Sequence, residues 1–98
     1  MTHVHVVARA LALSGREQEL EAAFTTCVGP TLKEPGCIRY QLVRGAEDPR
    51  ELAVIEEWES DEALARHLET PHVLALFGAA GPLLQAPPEI RRYRRVVP

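Results

Sequence analysis

Residues 3–13 alternate in part between apolar and polar positions and are rich in valine, the period-two pattern of a half-buried strand. Ser14 to Glu17 then has the S-x-x-E spacing of a capping box. Leu20, Ala23, Phe24, Cys27 and Val28 recur at three- and four-residue intervals, so a helix is expected to start at that box. Pro30 has no amide proton and its ring crowds the carbonyl of Thr26, which predicts a kink or break before residues 31–33, and Pro35-Gly36 turns the chain. Residues 37–44 and 51–59 read as two strands joined by the hairpin loop GAEDPR. Ser60 can cap a further helix, with Asp61 and Glu62 favoured in its first turn by the helix dipole. Thr70-Pro71 forms a second N-cap and N1 pair, predicting a short helix to Phe77 that Gly78 and Gly81-Pro82 end. After the proline-rich PLLQAPPE, residues 90–97 read as a last strand.

The order is β-α-β-β-α-β with the second crossover helix broken. Two right-handed β-α-β units of this kind give an α+β, ferredoxin-like antiparallel sheet with helices on one face, as one domain over residues 1–98. On the third strand Leu52, Val54, Glu56 and Trp58 share one face, and Ala53, Ile55, Glu57 and Glu59 the other. Neither face is uniformly polar. Helices cover only one, so the other is expected to pack on a second copy in a twofold homodimer.

Charge narrows the partners. The net charge is −3, but the last ten residues hold Arg91, Arg92, Arg94 and Arg95 against Glu89 alone, so residues 1–88 carry −6. No basic stripe runs through that body, which argues against nucleic acid as a partner, and the RRYRR run reads as an edge strand with solvated arginines. Cys27 and Cys37 are too few for a disulfide framework or a structural zinc site. The N-terminus lacks a basic leader before its apolar part and no apolar run nears the ~20 residues of a membrane span, so a cytoplasmic protein with no membrane partner is expected.

The chemistry-bearing residues cluster between Glu34 and His72. His67 lies on an apolar helical stripe with Leu64 and Leu68, and His72 follows the next N-cap; either is a candidate general base near neutral pH. Trp58 is either the largest core side chain or a flat wall for an aromatic ligand. Glu56, on the Trp58 face, is a carboxylate that needs a partner, which Arg39, Arg9 or a histidine could supply; unpaired, it becomes an alternative base. There is no Gly-rich phosphate loop, H-E-x-x-H metal motif or G-x-S-x-G elbow, and no sequence support for a flavin or nicotinamide. His3 and His5, two apart near the terminus, offer only a weak two-histidine metal pair, and no metal cofactor is expected.

The run E-P-G-C-x-x-Y, a hairpin, then E-x-W-x-S-x-E-A-L-x-x-H-x-x-T-x-H resembles the antibiotic biosynthesis monooxygenase domain family, particularly its quinol-monooxygenase-like members. The resemblance implies a dimeric α+β barrel that oxygenates a small phenol, anthrone or quinol with O₂ and no cofactor. It implies His67 or His72 as base, Trp58 and Tyr40 as wall or hydrogen-bond partner, and Arg39 or Arg9 as the cation for the oxyanion. A heme-degrading branch of the family uses an asparagine, and this chain has none. A non-catalytic ligand-binding dimer is the competing expectation.

Overall fold

The computed structural model describes residues 2–98. It runs β1 (Val4–Leu11), α1 (Glu17–Leu32), β2 (Cys37–Arg44), β3 (Glu51–Trp58), α2 (Asp61–His67), α3 (Pro71–Ala80), a 3₁₀ turn (Gly81–Leu83) and β4 (Glu89–Tyr93). The strands form one antiparallel sheet in the order β2-β3-β1-β4, the ferredoxin-like arrangement that the sequence pattern calls for. The core lies between the sheet and the helices. Val4, Val6, Ala10, Leu52, Val54, Trp58 and Tyr40 meet Leu20, Phe24, Cys27, Leu64, Val73 and Leu76 there.

Four local expectations are corrected. No break precedes residues 31–33: α1 continues through Pro30 to Leu32, because the bond that proline forfeits falls in the last turn, at exposed Thr26. Ser14 does not cap α1. Gly15 takes a positive φ of 84°, and the Glu17 carboxylate reaches back to the Gly15 amide (2.6 Å), so the helix begins at Glu17 behind Arg16. The α3 helix passes through Gly78 to Ala80, since Gly78 is exposed and nothing crowds it. The last strand is shorter than expected, pairing with β1 only from Glu89 to Tyr93.

One turn controls the site. Gly36 has φ of 87°, and a β-carbon placed on it would lie 2.6 Å from the Ala63 β-carbon. Only glycine lets this turn take that backbone form and press against α2. The Gly36 carbonyl also accepts from the Glu59 amide (2.9 Å), tying the turn to the end of β3.

Candidate active site

The Gly36 contact brings Glu34 beneath the corner between α2 and α3. Ser60 caps α2 by accepting from the Ala63 amide (3.1 Å), and α2 ends at His67. Thr70 caps α3, and its hydroxyl donates to the His67 carbonyl (2.8 Å), which locks the corner. The two histidine rings therefore flank Glu34, with centroids 6.2 Å apart. One oxygen, Glu34 Oε2, lies 2.8 Å from His67 Nδ1 and 2.6 Å from His72 Nε2.

The donor inventory assigns the protons. An ionised carboxylate only accepts, so both ring nitrogens facing it are N–H donors. In neutral His67 the other nitrogen, Nε2, then carries the lone pair, and it makes no hydrogen bond among the described residues. Burial pushes the His67 pKa down, against the opposing pull of Glu34, which keeps the ring in this neutral form. The three ligand atoms lie within 4.8 Å of one another, the only such cluster of three metal-capable groups among the described residues. Their contacts to Glu34 are at hydrogen-bond spacing. Ligands on a tetrahedral ion with bonds of ~2.1 Å would stand roughly 3.4 Å apart, so a metal would need both contacts to open.

His67 is 3% exposed and lines a cavity of about 70 Å³. Val6, Val54 and Tyr40 supply its sheet side and Phe24, Leu64 and Leu76 its helix side. The Trp58 ring stacks obliquely behind His67 (centroids 4.5 Å), and Tyr40 meets it edge-on (5.5 Å). Burial keeps the Tyr40 phenol protonated well above its usual range. Glu56, 6% exposed, projects into the same cavity, with its Oε1 accepting from Trp58 Nε1 (2.9 Å). Burial pushes its carboxyl up to about 7, although the indole bond pulls the other way.

Of the residues singled out from the sequence, the fold thus brings His67, Glu56 and Tyr40 to the cavity wall, with Trp58 behind the histidine. His72 touches the cluster from outside, facing a groove between α1 and α3. Arg9 and Arg39 are elsewhere. Arg9 forks onto Glu51 (both contacts 3.1 Å) and Arg39 bonds Gln41 (2.7 Å), each on the sheet face turned away from the helices. Neither partners Glu56; the Trp58 indole does. Two residues were not singled out. Glu34 sits in the E-P-G turn, legible as turn chemistry and silent about its histidines. Arg92 lines the cavity from β4, where only the strand register reveals its face.

Residues 3–79 match the family described as antibiotic biosynthesis monooxygenase. The chain belongs to this family. Among relatives of the antibiotic biosynthesis monooxygenase domain, a Mycobacterium tuberculosis protein described as a candidate monooxygenase is 34% identical over 84 residues, covering 86% of this chain and 82% of its own. The solved structure of that protein matches with a TM-score of 0.94 over 99% of this chain and 98% of its own. A Pseudomonas aeruginosa structure is 31% identical with a TM-score of 0.93, covering 99% and 97%. Against an uncharacterised Synechocystis protein, 29% identical over 81% of this chain, the match spans 54% of that relative's length. Family and relatives together support a monooxygenase-like role. No helix among the described residues is long and apolar enough to cross a membrane.

Proposed function

We propose that the cavity binds a small electron-rich phenol or quinol and supports its oxygenation by O₂, with no bound group beyond substrate and oxygen. The observation that supports this most is the Glu34-backed His67, whose ring lines an apolar cavity beside a carboxyl that burial pushes up to about 7. Two titratable groups pushed in opposite directions mark an acid and a base.

His67 Nε2 takes the phenolic proton, and Glu34 stabilises the imidazolium that forms. The phenolate passes an electron to O₂; the two radicals join at a ring carbon that bears hydrogen, beside or opposite the oxygen. The peroxide formed there loses water to leave a carbonyl. Phenol and O₂ thus become quinone and water, with all electrons drawn from the substrate. Glu56, protonated up to about pH 7, donates a hydrogen bond or proton to the developing oxyanion or peroxide. Apolar walls keep water from competing for the anion.

Size selects among substrates. A cavity of roughly 150 Å³ holds one benzene. The cavity here is about 70 Å³ and open at its mouth, so a single ring lodges partly between half-exposed Phe77 and Ile90, which favours one ring over the three of an anthrone. This reading includes a homodimer. Val7, Ile55 and Val43 are only half buried on the sheet face away from the helices, and Val96 is 92% exposed beyond β4. A second copy covers these surfaces, which light scattering would detect.

Oxygen-electrode assays with monocyclic phenols and quinols test the reaction, using ¹⁸O₂ to label the product carbonyl. His67→Gln should lower kcat by about 10² or more with little change in binding. Full activity in that variant removes His67 as base. Binding without oxygen uptake across the panel refutes oxygenation and leaves a ligand-binding dimer.

A further inference from the structure

We infer that Arg92 makes the cavity selective for a substrate bearing a carboxylate, held at the mouth while the ring faces His67. Three observations carry this. Arg92 and Glu56 both pair with Val6, one from β4 and one from β3, so the three side chains share a face of the sheet. Two strand spacings, about 10 Å, separate their backbones, a span that one aromatic ring and a long arginine side chain can fill. Second, the other tail arginines are committed: Arg91 to Glu89 (3.5 Å), Arg94 to Asp61 (2.8 Å) and Arg95 to Glu57 (3.7 Å). Arg92 forms no salt bridge and donates no side-chain hydrogen bond among the described residues. Third, the rest of the lining is almost wholly apolar, so this guanidinium is the one cation in the wall. A planar fork of donors suits a planar carboxylate, and neutralising it in the cavity mouth leaves no charge stranded.

The aromatic half of this ligand rests on the proposed function; the charge preference does not. Titration calorimetry with 4-hydroxybenzoate, phenol and inorganic phosphate separates them. The intact protein should bind 4-hydroxybenzoate about tenfold more tightly than phenol, the effect of one charge-assisted contact. Arg92→Gln should erase that ratio, Arg92→Lys should keep part of it, and phenol binding should not change. Arg91→Gln removes the same charge from a neighbouring strand position already paired with Glu89, and should leave the ratio intact. Equal affinity for acid and phenol, no binding of the acid, or an equal loss in Arg91→Gln would overturn the inference. Phosphate binding as tight as the acid's would show a bare anion site and would overturn it too. If selectivity is present but no ligand consumes oxygen, the oxygenation reading fails and this one stands.

Discussion

Glu56→Gln should stabilise the protein at alkaline pH and do almost nothing in acid. The folded carboxyl holds its proton up to about 7, whereas an ordinary one releases it at 4.5. Between those values the folded chain binds more protons than the unfolded chain, so stability falls as pH rises from 4.5 to 7 and stays low above. At about 1.4 kcal/mol per pH unit, the penalty at pH 8 is about 3 kcal/mol. Glutamine keeps an oxygen for the Trp58 indole and cannot ionise. The variant should therefore match the parent near pH 4 and exceed it by about 3 kcal/mol at pH 8, on the order of 10 °C or more in Tm for a domain this size. Urea melts of both proteins at pH 4, 6 and 8 measure this. His67, whose depressed pKa tilts stability the opposite way below its ordinary range, is common to both and cancels in the difference. A difference that stays constant across the series would mean that Glu56 ionises as freely folded as unfolded, and the buried-acid reasoning would fail.

Other perturbations probe neighbouring contacts. Trp58→Phe removes the one hydrogen bond that lowers the Glu56 pKa, so the pH range over which stability declines should extend above 7 in the same melts. Glu34→Ala strands one buried ring N–H on His67 and a half-buried one on His72, and should cost about 1–3 kcal/mol for each that water does not reach, read as a shift in urea midpoint with an unchanged m-value. Thr70→Ala deletes the α3 cap and the link to the His67 carbonyl. About 1 kcal/mol of lost stability is expected by thermal melting, and faster amide exchange at Val73 should accompany it.

Strand periodicity and turn residues made the architecture legible, because β1 and β3 each bury one face and α2 and α3 announce their caps at Ser60 and Thr70. The site was legible only where its residues lie on one such element. His67 sits on an apolar stripe, and Glu56 and Trp58 share a strand face, so period alone brings them together. Glu34 lies 33 and 38 residues from the histidines that it joins, and no local pattern encodes that contact. Arg39 illustrates another limit. A bulge between Cys37 and Arg39 shifts the pairing of β2, and Tyr40 turns inward while Arg39 turns out. Arg9 obeys simple alternation against buried Val6 and Ala10, so parity alone puts it on the outer face, away from the cavity to which the resemblance assigned it. Arg92 could be assigned only once the register of β4 against β1 was known.

The contact between Gly36 and Ala63 sets how far His67 can drift from the sheet. It is made by backbone and a single methyl group, so only loss of that methyl, as in Ala63→Gly, could yield slack there. The groups of the candidate site can be exchanged one at a time, but the gauge between them is inherited whole. A library built to accept a larger substrate should randomise the rim at Leu68, Phe77 and Ile90. It should leave positions 34–36 and 63 untouched, because even alanine at Gly36 would spoil the site without altering any of its titratable groups.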